Sequence, residues 1–88
     1  MPDLSLEEIK ALPAEEAVKE LDIYISHHPE DDEGYTLRGL RFWALNRRQE
    51  AIKDYHTALR LNPDSKASMA LQMANSILDY YNKDLLNP

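Results

Sequence analysis

Apolar residues recur along this chain at intervals of three and four, and the alternation of apolar and polar residues that marks a half-buried strand appears nowhere. The pattern predicts an all-α chain, and three internal prolines punctuate it. Pro13, Pro29 and Pro63 each follow an apolar-periodic stretch, and proline disfavours helical geometry in the residue before it. Helix 1 is expected over about Leu6 to Leu12, with Ser5 as N-cap and Glu8 completing a capping box. Helix 2 begins near Pro13, where proline suits a first turn, and ends at His27 and His28, presenting Ala17, Val18, Leu21, Tyr24 and Ile25 on its apolar face. The acidic run Glu30 to Glu33 suits a helix start, so helix 3 covers about Asp32 to Leu45 and carries Tyr35, Leu37, Leu40, Phe42 and Trp43. Helix 4, about Arg48 to Leu61, aligns Ala51, Ile52, Tyr55, Ala58 and Leu59 before Asn62 and Pro63 stop it. Helix 5 starts from Asp64 or Ser65 as cap and meets no breaker before Tyr81.

Composition narrows the class without changing this picture. The 88 residues allow one compact domain with one core, at a usual domain size of roughly 100 to 150 residues. Apolar residues at 43% and charged residues at 30% are the balance of a folding, globular chain. No apolar run approaches a membrane span, the first residues are acidic where a secretory leader is basic and apolar, and a cytoplasmic address is the default expectation. Zero cysteines exclude a disulfide framework, a thiolate zinc site and a cysteine nucleophile.

The net charge of −6 argues against nucleic acid as partner, because affinity for phosphates comes from clustered Lys and Arg. Charge is nevertheless split along the chain. Residues 1 to 33 hold eleven acids and two bases, whereas residues 34 to 60 hold two acids and six bases. Successive helices therefore attract one another, and Arg38, Arg41, Arg47, Arg48, Lys53 and Arg60 form a basic band that is either solvated or available to an acidic partner.

A shift of 34 residues lays the chain on itself. Glu16 to Glu20 fall on Glu50 to Asp54, Leu21 on Tyr55, Ile25 on Leu59, and Pro29 on Pro63. A period of this length built from two helices is the mark of a solenoid, in which each hairpin buries its face on its neighbours. The residues at the repeat's fixed offsets are Tyr35, Arg38, Gly39, Phe42, Ala51, Tyr55, Ala58 and Pro63. This pattern resembles the tetratricopeptide repeat, an aromatic, leucine, glycine and aromatic followed by alanine, aromatic, alanine and proline. Packing gives each place a reason: Gly39 and Ala51 are small where two helices cross closely, Ala58 is small where the next helix approaches, and Tyr35, Phe42 and Tyr55 fill wider gaps. Arg38 departs from the expected leucine, and Leu37 is expected to supply part of the missing apolar contact.

The resemblance implies an antiparallel helix-hairpin solenoid of about two and a half units in a single domain, residues 1–88. It comprises a partial repeat 5–29 that keeps Ala17, Leu21 and Pro29, a full repeat 32–64, a capping helix 65–82 and a tail 83–88. The tail either folds back through Leu85 and Leu86 or leaves them for a partner. In tetratricopeptide arrays the first helix of each pair lines a concave groove. That register assigns Glu33, Thr36, Leu40, Trp43 and Ala44 to the groove from helix 3, with Ala67, Ala70, Ala74 and Ile77 from helix 5. Family members that grip a peptide's terminal carboxylate use Lys, Arg and Asn where this chain has Thr36, Leu37, Leu40, Ala70 and Ala74, so no carboxylate clamp is expected.

The implied function is a protein-interaction module that takes a peptide or helix in an apolar groove anchored by Trp43 and Leu40, unless helix 1 or the tail covers those residues. The competing expectation is a homodimer that buries the groove or the open face of helix 5. Arg41, Arg47 and Arg48 form a secondary basic site, with Arg47 and Arg48 placed in the hairpin turn to grip an acidic loop, for instance residues 30–33 of a second copy. His27, His28 and the acids at 30–33 are the one cluster with metal-ligand chemistry, but a helix end and a helix start explain them, and no metal or other cofactor is expected. No hydroxyl, histidine and acid set and no phosphate loop suggests catalysis.

Overall fold

A computed structural model of the chain describes residues 4–86, with side chains described over residues 4–76. Among these residues there are five α-helices and no strand: α1 Leu6–Lys10, α2 Ala14–His27, α3 Asp32–Ala44, α4 Arg48–Leu61 and α5 Ala67–Leu86. The caps account for most boundaries. Ser5 and Glu8 form the expected capping box at α1, the Ser5 hydroxyl accepting from the Glu8 N–H while the Glu8 carboxylate accepts from the Ser5 N–H. Asp31 caps α3 by accepting the Glu33 N–H at 3.0 Å. The turn into α4 is closed by Asn46 at φ 64, a left-handed conformation that asparagine tolerates, with the Arg47 N–H donating back to the Phe42 carbonyl at 2.9 Å.

Helix 1 is shorter than expected, ending at Lys10 with Ala11 as C-cap. Helix 5 is longer, because residues 65–86 contain neither glycine nor proline. Its backbone remains helical through residues 83–86, which the sequence pattern sets aside as a tail. The side chains of Ile77, Leu85 and Leu86 lie outside the described residues.

Each helix packs mainly on its chain neighbours, α3 on α4 and α2 on α3 most extensively, then α4 on α5 and α1 on α2. In the α2–α3 pair, Gly34 meets Tyr24 and Ile25 while Arg38 reaches back to Asp22, so the two helices run antiparallel. Packing mainly between chain neighbours divides the buried side chains into two clusters where one core was expected. Ile9, Ala17, Leu21 and Leu37 form one between α1, α2 and α3. Val18, Phe42, Ala51, Tyr55, Ala58, Ala67 and Ala74 form the other, against α4. The repeat positions Ala17, Leu21, Gly39, Phe42, Ala51, Tyr55 and Ala58 are all buried, Tyr35 is half-buried, and Pro29 and Pro63 stand exposed in the turns.

Candidate functional site

A concavity of about 460 Å³ opens between α1, α3 and the start of α5. Its walls are two helical stripes of the same spacing. α3 contributes Glu33, Thr36, Leu37 and Leu40, and α5 with its preceding turn contributes Lys66, Met69, Ala70 and Met73. Residues at i, i+3, i+4 and i+7 lie on one face of a helix, so the two stripes stand side by side as walls of a trough. Leu6 and Lys10 of α1 close one flank, where the Arg41 guanidinium donates to the Lys10 carbonyl at 3.2 Å.

The floor is held by a polar relay. The Thr36 hydroxyl donates to the Asp32 carbonyl at 3.0 Å, the Ser65 hydroxyl lies 3.1 Å from Thr36 Oγ1, and Ser65 Oγ accepts the Ala67 N–H at 3.1 Å. With the Thr36 hydrogen committed to Asp32, Ser65 is the donor between the two hydroxyls. Both are buried and satisfied, and together they fix the start of α3 to the turn that launches α5.

Above this floor, Leu40 is 45% exposed, Met69 68% and Met73 65%. Three large apolar side chains on one concavity are a contiguous wet patch, which isolated surface apolar residues are not. The rim is charged. Asp32, Glu33 and Asp64 gather at the Thr36–Ser65 end, with Lys66 among them, while Lys10 is engaged by Glu7 on its own helix at 3.2 Å.

The sequence-assigned groove residues separate into three groups. Thr36, Leu40 and Ala70 line the trough, Thr36 as a buried structural group and Leu40 as an exposed one. Trp43, Ala44 and Ala74 do not line it. Trp43 is half-buried against the α4 cluster, with the Arg48 guanidinium 4.9 Å from its ring centroid, Ala44 is exposed outside the trough, and Ala74 is core. Ile77 lies outside the described side chains. Leu6, Met69 and Met73, which the repeat register passed over, supply much of the apolar lining.

The basic band is largely engaged within the chain. Arg38, expected to be solvated, donates through Nε and one terminal nitrogen to both oxygens of Asp54 at 2.8 Å, and through the other to Asp22 at 2.9 Å. Its guanidinium pKa is held above the ordinary range, chiefly by the Asp54 hydrogen bonds and against the cost of burial. Arg38 thus ties α3 to both neighbours, and its planar fork does what the expected leucine cannot. Arg47 pairs with Glu50 at 2.6 Å and lies over the Phe42 ring, and Arg48 covers Trp43. Leu37 is buried as expected, but in the cluster with Ile9, Ala17 and Leu21.

Among the described residues no cluster of three His, Asp or Glu side chains has metal-binding geometry, and no helix is long and apolar enough to cross a membrane. Near the two histidines, the Tyr24 hydroxyl donates to Asp31 at 2.5 Å and its ring lies 4.5 Å from that of His28. Comparison of the chain with protein-family models, curated proteins and solved structures finds no match.

Proposed function

We propose that this chain is a small protein-interaction module, a tetratricopeptide-like stack of helix hairpins that holds a peptide or helix of another protein in the trough between α1, α3 and α5 and performs no chemistry of its own. The repeat-like part of this reading is supported by helix packing that is most extensive between chain neighbours and by the close approach of α3 and α4 at Gly39. The observation that carries the function is the shared exposure of Leu40, Met69 and Met73 on one concave surface. Methionine is unbranched and polarizable, so a wall built of two of them adapts to the shape of an apolar anchor.

The test is selection of peptide ligands from a random display library against the full chain, followed by amide-shift mapping of a selected peptide. Shifts gathered on Leu6, Leu40, Met69, Ala70 and Met73, with binding lost in Leu40→Glu, are the expected result. Shifts gathered on another face overturn the reading. Light scattering separates the self-associating alternative, since a stable mass of twice 10.2 kDa that Leu40→Glu returns to 10.2 kDa assigns the trough to a second copy.

A further inference from the structure

The two trough walls carry matched stripes, Glu33, Thr36, Leu37 and Leu40 against Lys66, Met69, Ala70 and Met73. A stripe from i to i+7 spans eight residues and is about 10 Å long at the helical rise, or two turns. Parallel ridges at that spacing leave between them the groove into which a third helix packs, presenting its own anchors at i, i+3, i+4 and i+7.

Charge sets the character of that third helix. Asp32, Glu33 and Asp64 lie near the Thr36–Ser65 end of the trough, and among the described residues none of the three carboxylates makes a side-chain ion pair. Lys66 offsets one of these charges, and Lys10, on the flank beside Leu40, is paired with Glu7. Asp32 and Glu33 also favour the positive end of α3, and Asp64, three residues ahead of Ala67, stands before the positive end of α5, yet all three charges share the lining of one trough. Apolar walls that end in acids without ion-pair partners among the described residues suit an apolar ligand with a cationic end and repel one with an anionic end.

Resting on the reading of the trough as a binding site, we propose that its occupant is a short amphipathic helix of another protein whose apolar stripe lies on Leu40, Met69 and Met73 and whose Lys or Arg end meets Asp32, Glu33 and Asp64. The partner is basic, the opposite of what a carboxylate clamp selects.

The experiment uses three synthetic peptides of about 14 residues with leucines at i, i+3, i+4 and i+7. They carry Lys, Gln or Glu at one end and are titrated against the full chain by fluorescence anisotropy at low salt. The expected order is Lys above Gln above Glu, with roughly a tenfold span between the extremes, narrowing at high salt. The double variant Glu33→Gln/Asp64→Asn, at exposed positions whose side chains make no hydrogen bond among the described residues, should narrow that span to about threefold or less. If all three peptides bind alike and Leu40→Glu abolishes each, the trough stands as a site but the basic partner is wrong. If Leu40→Glu leaves binding intact, or no peptide binds, both readings fall. If the trough is occupied by a second copy by the light-scattering criterion, the foreign basic helix is overturned.

Discussion

Gly39 of α3 lies flat against the ring of Tyr55 on α4. A Cβ built on Gly39 would stand 2.5 Å from Tyr55 Cε1, 2.8 Å from Cδ1 and 3.1 Å from the Ala51 carbonyl. Tyr55 is 2% exposed and belongs to the α4 cluster, so its ring has nowhere to retreat. Gly39→Ala gains about 1 kcal/mol of helix propensity and costs about 1–3 kcal/mol of overpacking, a net loss of up to about 2 kcal/mol. Gly34 provides the internal comparison. Its Cβ would meet the half-buried Tyr24 ring at 3.1 Å and Ile25 Cγ1 at 3.3 Å, contacts that a shift of a few tenths of an ångström relieves. Gly34→Ala should fall within about 0.5 kcal/mol of the parent in urea unfolding, and a larger loss there than at Gly39 contradicts the account.

Arg38 stands where the repeat pattern places leucine, yet restoring leucine should weaken the fold. Asp54 is 4% exposed and Arg38 is its charge partner, so Arg38→Leu leaves a buried carboxylate unpaired at a cost of about 3 kcal/mol. Removing both charges together in Arg38→Leu/Asp54→Leu should recover most of that loss, giving a coupling energy above about 1 kcal/mol in a double-mutant cycle. Additive losses would show that the two side chains act independently.

The helices were legible because caps, prolines and apolar spacing are local. Ser5 with Glu8, the breaks before Pro29 and Pro63, and the stripe from Ala51 to Leu59 all sit within a few residues of what they determine. The trough was half legible. Periodicity finds the stripe that contains Thr36, Leu40 and Trp43, but how far along it a neighbour covers the surface depends on contacts between distant segments. Trp43, one turn beyond Leu40, is large enough to reach the α4 cluster and is covered by Arg48, while Met69 and Met73 look like core residues of an amphipathic helix until the opposite wall is in place. Arg38 was misread because its two acids, Asp22 and Asp54, are each 16 residues away in sequence, on opposite sides of it.

The Thr36–Ser65 pair is the polar pin of the trough. Ser65→Ala removes the acceptor of the Ala67 N–H and the donor to Thr36 Oγ1 in one step, both at buried positions. A loss of about 1–2 kcal/mol is expected in chemical unfolding, and binding of a trough ligand should weaken with it because the start of α5 loses its anchor. Ser65→Thr, which keeps the hydroxyl, should retain more of the stability than Ser65→Ala.

Tyr24 gives the chain an alkaline transition. Its phenol is pushed up to about 12, first by the hydrogen bond it donates to Asp31, then by burial and by the negative charge of Asp31. A tyrosine in the unfolded chain titrates near about 10. The folded state therefore holds this proton more tightly, so its contribution to stability is fully present below about pH 10 and is lost as pH rises toward 12. Ultraviolet titration should find Tyr24 ionising late, as Tyr55 also should because burial pushes its phenol up, and Asp31→Asn should bring Tyr24 alone down toward the ordinary range. A Tyr24 titration unmoved by that substitution would assign the shift to burial.

Leu40 and Trp43 lie three residues apart on α3 but face different tasks. Leu40 is 45% exposed on the trough, so Leu40→Glu removes little buried area and should change stability by less than about 0.5 kcal/mol while removing the apolar anchor from the site. Trp43 packs on the α4 cluster beneath Arg48, so Trp43→Glu puts a carboxylate against apolar atoms and gives up a large apolar area and a cation–π contact. A loss of about 2–4 kcal/mol should follow, visible as a lowered urea midpoint with the helical signal retained in water only if the parent is more stable than that. Any loss of binding in Trp43→Glu then reports on folding, whereas loss of binding in a stable Leu40→Glu reports on the trough itself. A stable Trp43→Glu protein would show instead that the indole contributes little to the core, and would return it to the candidate binding surface.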